Sequence, residues 1–278
     1  MTGYSHPNSL IETQWLADHL DDPSVRIVEV DMSPDACENA HIPGAIFWNI
    51  LLDVMKPDMS MNLGAEAIAS LLSKSGISPE TTVVPYGSNL ATSASIFWLL
   101  KCFGHDKVCV VNGGHQKWIA EGRPVASALS SFESVQYTAP ASCDSDYRIL
   151  TADVQDSLNR LDTVVLDVRT QAEYNGELFI MEPPQGEERA GHISGAVHLE
   201  CTLALNEDGT FKSAEALHNL YVQQGITKDK RVIPYCAVGA RSGFVWYVLK
   251  YLLGYPNVQN YDGSWNEWSR LPNALIEQ

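Results

Sequence analysis

Positive charge is scarce in this chain. Its 278 residues carry 18 Lys and Arg against 34 Asp and Glu, a formal net charge of −16. A surface of that sign repels phosphate backbones and anionic lipid, which argues against nucleic-acid binding and membrane-surface attachment. No apolar run approaches a membrane span. The N-terminal MTGYSHPNSLIETQWLADHL lacks a basic segment followed by an apolar core, so no signal peptide is expected. The six cysteines (Cys37, Cys102, Cys109, Cys143, Cys201 and Cys236) include no CxxC pair and no Cys/His cluster at metal spacing. A disulfide framework is not expected in a chain this long, and no metal site is indicated. These absences together lead to the expectation of a cytoplasmic protein in a reducing compartment. What remains, 45% hydrophobic and 19% charged residues, is ordinary globular composition with length for two moderate domains.

The chain repeats itself. TTVVPYGSNLATSASIFWLLKCFG (81–104) lies over KRVIPYCAVGARSGFVWYVLKYLLG (230–254), AHIPGA (40–45) over GHISGA (191–196), and NGGHQKW (112–118) over DGSWNEW (262–268). IVEVD, ending at Asp31, matches VVLDVR with Asp167 opposite it, and Thr13 and Thr151 each precede a helical pattern as expected N-caps. Motifs recurring in one order, roughly 136–151 residues apart, imply two copies of one domain. Buried strands are expected at Val25–Val30, Thr82–Tyr86, Val108–Val111, Val164–Val168, Val232–Tyr235 and Val258–Tyr261. Helices are expected across Ile96–Phe103 and Phe244–Leu253. This alternation predicts α/β architecture, each copy a mostly parallel sheet flanked by helices. The boundaries read as 1–124, a Ser/Ala-rich linker at 125–149, and 150–278. NGELFIMEPPQGEERA (175–190) is extra sequence in the second copy and reads as a long loop.

Ligands of such sheets sit beyond the carboxyl ends of strands, where strand meets helix. Cys236 falls at that junction, opening Cys236-Ala237-Val238-Gly239-Ala240-Arg241. A helix N-terminus favours an anion, and loop N–H groups turned inward would cradle a thiolate. Gly239 permits the curve, Ala237 and Ala240 add little bulk, and Arg241 offers a permanent charge to an anionic donor. The first copy supplies a control: Gly87, Leu90 and Thr92 stand where the second has Cys236, Gly239 and Arg241. The chemistry is therefore expected in the second copy.

These residues resemble the rhodanese family, and the arrangement is similar to two-domain thiosulfate and 3-mercaptopyruvate sulfurtransferases. The resemblance rests on Asp-Val-Arg at 167–169, GHISGA, the CxxGxR loop and DGSWNEW, and covers nearly the whole chain. It implies two tandem rhodanese-like domains, the first silent, and a ping-pong transfer through a persulfide on Cys236. The sulfur would come from thiosulfate and pass to cyanide or to a thiol such as thioredoxin or glutathione, with no cofactor and no metal. The loop departs from the family's CRKGVT and CGSGVT forms at Ala237 and Val238, and Glu173 aligns with an arginine that binds donor in animal-type members. Arg241, with Arg189 from the inserted loop, is left to supply positive charge. 3-Mercaptopyruvate stays open as the donor, as does a non-catalytic sulfur-carrier or interaction module. Cysteine-dependent phosphatase or arsenate reductase chemistry is the remaining alternative, although those loops typically hold five residues between Cys and Arg. Asp167 and Arg169 are expected to brace the loop, His41 and His192 to hold matching turns, and Trp265 and Trp268 to pack beneath it.

Overall fold

The computed structural model describes residues 3–37, 40–185 and 189–278. In the first half, strands Ile46–Asn49, Val25–Asp31 and Thr82–Tyr86 form a parallel sheet in that order. The second half repeats it with Val197–His198, Thr163–Asp167 and Arg231–Tyr235. Single parallel bridges, Val83 to Val108 and Val232 to Val258, extend each sheet on the same side. The central strands are buried along nearly their whole length, including the charged Arg26, Glu29 and Asp31 of the first, as expected of parallel strands covered on both faces. Two tandem α/β domains are thus present, as the repeats predict. Val258–Tyr261 forms bridges only, because each partner strand offers it a single pairing position.

The halves meet through the helices that follow the repeated V-x-P-Y strands. Leu90–Cys102 buries 11 of its 13 residues, apolar on every side because it faces both its own sheet and the other half. Its partner begins at Ala240 and runs to Tyr247. Where the two cross, a Cβ added to Gly243 would lie 3.3 Å from the Cβ of Ser95, so the absent side chain sets the approach. Phe97 and Tyr247 pack with ring centroids 4.7 Å apart. The helix that follows the second half's strand-to-helix loop is therefore packed against the first half's helix.

Several local expectations need correction. Sheet register places Glu29 opposite Tyr86 and Asp167 opposite Tyr235. Glu29, not Asp31, is therefore the counterpart of Asp167; matching Asp to Asp by identity slipped the strand by two residues, which preserves the face. Thr13 and Thr151 are the first residues of their helices rather than caps. Their hydroxyls bond Glu121 and Tyr261 instead. The segment 125–149 is irregular but packed: Tyr137 is buried, and the Asp144 N–H donates to the Cys102 carbonyl at 2.9 Å. That contact brings Cys143 beside Cys102, and the two are joined as a disulfide across 41 residues. The expectation of unlinked thiols fails here because a return of the chain, not a spacing motif, makes the pair. No helix among the described residues is long and apolar enough to cross a membrane.

Candidate active site

Cys236 follows directly on strand Arg231–Tyr235 and is 1% exposed. Its sulfur accepts the Gly239 N–H at 3.1 Å. The Ser242 and Ser264 hydroxyls lie 3.7 and 3.9 Å from the same atom, with the Gly239 and Tyr261 carbonyls as their nearer acceptors at 3.0 and 2.8 Å. Gly239 makes the turn with φ +94°, a left-handed conformation. A Cβ there would meet the Asp262 carbonyl oxygen at 2.7 Å and Met61 Sδ, from the first half, at 3.2 Å. Only glycine fits both the backbone and the space. No side chain caps the helix that starts at Ala240, so its first-turn N–H groups lack intrahelical partners.

The loop is held from outside by Ser264–Trp268. Trp265 N–H donates to the Cys236 carbonyl and Asn266 N–H to the Ala237 carbonyl, at 2.9 and 2.8 Å. Cys236 N–H in turn donates to Ser264 Oγ at 3.1 Å. Ser264 itself has φ +52°, strained for a residue with a Cβ, and that geometry brings its hydroxyl to Cys236. Ser264 and Ser242 escape sequence reasoning; the recurrence of DGSWNEW was the available signal, and it does not single out the serine. Trp265 and Trp268 are buried, as expected for residues packed beneath the loop. Val238 is partly buried against the core and Ala237 is fully buried.

Arg241 reaches the site, and it is not a free cation. Its Nη1 and Nη2 donate to Glu173 Oε2 and Oε1 at 2.7 and 2.6 Å, a two-pronged pair. Glu173 is 1% exposed and Arg241 27%. Thr170 fixes the carboxylate by donating its N–H and hydroxyl at 3.0 and 2.9 Å, half of a capping box. Burial acts most strongly to raise the Glu173 pKa, but the Arg241 and Thr170 hydrogen bonds outweigh it and hold the group below the usual carboxylate range. For Arg241, burial opposes the charge, and Glu173 and the Cys236 sulfur more than restore it. Glu173 thus occupies the position expected of a donor-binding residue and spends itself on Arg241.

Asp167 and Arg169 form a wholly buried ion pair at 2.6 Å. The Tyr235 hydroxyl donates to Asp167, Arg169 Nη2 donates to the Gly191 carbonyl at 2.9 Å, and the guanidinium lies 4.7 Å over the Trp265 ring. This network ties the strand ends to the residues just before and just behind the loop. Arg189 is not brought to Cys236. Its Nε and Nη2 donate to the Ser269 and Leu271 carbonyls at 3.0 and 2.6 Å, anchoring the inserted loop instead of facing a donor. Residues 186–188 of that loop lie outside the described residues. His41 bonds Glu29 and His192 bonds the Tyr174 carbonyl, both at turns.

Cys109 and Cys201 are also free and buried. Burial pushes the thiols of Cys109 and Cys201 up to about 12, and neither sulfur receives a backbone N–H. No group of three His, Cys, Asp or Glu side chains among the described residues is placed to hold a metal ion. Beside the loop, a cleft of about 580 Å³ lies between the halves, lined by Lys56, Met61, Arg148, Asp262, Asn266 and Arg270 among others.

The family profile described as rhodanese-like domain matches residues 12–121 and 150–271. A sulfur carrier protein, TtuD, of Thermus thermophilus is 44% identical over 280 residues, covering 99% of this chain and 98% of its own. Putative thiosulfate sulfurtransferases of Haloferax volcanii and Mycobacterium tuberculosis are each 38% identical, with at least 96% of both chains covered. Among solved structures, the anaerobic ergothioneine biosynthesis enzyme from Chlorobium limicola superposes with a TM-score of 0.88 at 23% identity. The match covers 99% of this chain and 71% of that one, a likeness of fold.

Proposed function

The chain belongs to the rhodanese family of sulfurtransferases, and from that premise we propose that Cys236 carries a sulfane sulfur from thiosulfate to cyanide or a thiol. The supporting observation is the sulfur of Cys236 at a strand–helix junction, accepting the Gly239 N–H at 3.1 Å with two serine hydroxyls within 3.9 Å of it. In the first half-reaction the Cys236 thiolate attacks the outer sulfur of thiosulfate. The S–S bond of the donor breaks, sulfite leaves with the electron pair, and a Cys236 persulfide anion remains. In the second, the acceptor attacks the outer sulfur of that persulfide and the thiolate returns as leaving group.

The first-turn N–H groups beyond Gly239 would solvate the added sulfur, since no side chain takes them. Arg241 contributes positive charge beside the sulfur, tempered by its pairing with Glu173, and the Asp167–Arg169 pair keeps the loop's base fixed. Residues 150–278 act as the catalytic domain and 1–124 as its support, joined through 125–149. The test is intact mass after thiosulfate alone: one added sulfur atom, mapped to Cys236 and removed by cyanide. No gain at Cys236 with any sulfane donor would sink the reading.

A second reading, a sulfur carrier that serves a partner enzyme, is favoured by one observation: Cys236 is 1% exposed while the charge beside it is already paired. The relative named as a sulfur carrier protein is consistent with it. It predicts loading from a cysteine desulfurase with negligible turnover of thiosulfate and cyanide.

A further inference from the structure

We infer that Glu173 is a donor-selecting residue, which weakens the site's preference for thiosulfate and other dianionic sulfur donors relative to donors bearing one negative charge. The inference rests on the proposed role of Cys236 and adds to it the chemical class of donor.

Three observations carry it. The polar groups nearest the sulfur are neutral: the Gly239 N–H, which donates to it, and the hydroxyls of Ser242 and Ser264. The cation that acts on that sulfur, Arg241, has both of its terminal nitrogens turned onto Glu173 at 2.6 and 2.7 Å. The carboxylate cannot swing aside to release them, because Thr170 holds Oε2 through two further hydrogen bonds and the side chain is 1% exposed. Counting formal charges, a Cys236 thiolate, Arg241 and Glu173 sum to one negative charge before any donor arrives. Thiosulfate would add two more in a largely water-excluded place, where charges interact far more strongly than in bulk water. A monoanion such as 3-mercaptopyruvate would add one. An unpaired Arg241 would present a two-pronged face to a sulfonate-like oxyanion; the Glu173 carboxylate already fills that face with the same geometry.

The pairing also gives the half-buried Arg241 a partner of opposite charge within the protein. Glu173 is a built-in competitor for the group that a dianionic donor needs.

The experiment compares kcat/KM for thiosulfate and for 3-mercaptopyruvate, with cyanide as acceptor, in wild-type protein and in Glu173→Gln. Both donors leave the same persulfide: thiosulfate releases sulfite, and 3-mercaptopyruvate takes up the thiol proton at carbon and releases pyruvate. The thiosulfate to 3-mercaptopyruvate ratio should rise about tenfold in Glu173→Gln, the order expected for removing one charge near a partly screened dianion. The gain should lie in KM for thiosulfate, which a general loosening of the fold would not produce. An unchanged or lower ratio in folded protein overturns the inference. Should Glu173→Gln fail to fold, Thr170→Val, which removes one anchor of the carboxylate, must raise the same ratio by about twofold or more; no rise there overturns it equally. If neither donor loads Cys236 in the wild type, the proposed function itself falls and this inference with it. Loading with a flat ratio removes Glu173 alone.

Discussion

In the first half, strand Thr82–Tyr86 runs into Gly87, and the next helix is capped by Asn89, whose side chain accepts the N–H groups of Ala91 and Thr92. Asp31 meanwhile accepts both the N–H and the hydroxyl of Ser88. In the second half the same strand end meets Cys236, the helix has no side-chain cap, and the Gly239 N–H goes to sulfur. The difference is one of who satisfies the backbone. In the first half, Asn89 and the strand-end Asp31 already accept the donors of Ser88, Ala91 and Thr92, so a further anion has little to offer them. The second leaves donors for whatever sulfur is attached. The first half also lacks room: a Cβ on Gly87 would sit 2.4 Å from the Val30 carbonyl oxygen. On the proposed function, the silence expected of the first half is therefore structural and not the loss of one thiol alone.

That contrast can be attacked directly. Cys236→Ala should abolish sulfur loading and turnover, a loss of more than about a thousandfold, with the thermal unfolding midpoint little changed. Retained turnover would place the chemistry elsewhere. Arg241→Ala should cost about 2–4 kcal/mol in kcat/KM for an anionic donor, since it removes the cation and leaves Glu173 buried without its partner. An unchanged kcat/KM would take Arg241 out of the mechanism. Gly87→Cys should not create a second carrier: intact mass should still show one added sulfur, and stability should fall by about 1–3 kcal/mol because of the clash with Val30. A second loaded cysteine would show that the thiol alone distinguishes the halves.

The smallest effect concerns pH. Glu173 has a folded pKa below its ordinary value of 4.5, so its contribution is full above that value and fades as pH falls through the lower folded one. Denaturant unfolding of Glu173→Gln should thus show a deficit of about 1–3 kcal/mol near neutral pH that shrinks in acid. A deficit independent of pH would mean that the ionised pair with Arg241 is not its source.

Much of this was legible in the chain, and the reasons are local. Repeated V-x-P-Y strands and GHIxGA turns are short, contiguous patterns, so they revealed two copies and put Cys236 at a strand–helix junction. Register was less legible, because Asp31 and Asp167 share a side chain while hydrogen bonding pairs Glu29 with Tyr86. Arg189 read as a charge for the donor since nothing in sequence shows that two carbonyls, 80 and 82 residues away, already claim it. The disulfide between Cys102 and Cys143 was hidden for a related cause: its halves meet only because the linker folds back on a helix end.

The amino-acid sequence by itself determined that there are two α/β copies and which one bears a cysteine at the mouth of a helix. Strand and helix periods, turn glycines and the order of motifs are properties of neighbouring residues, and they survive without knowledge of what lies across the fold. The tertiary structure decided the electrical state of the site. Glu173 and Arg241 are 68 residues apart, and Ser264 lies 28 from Cys236. Whether a charge is offered to a substrate or consumed by a neighbour depends on distances through space, which no spacing along the chain encodes.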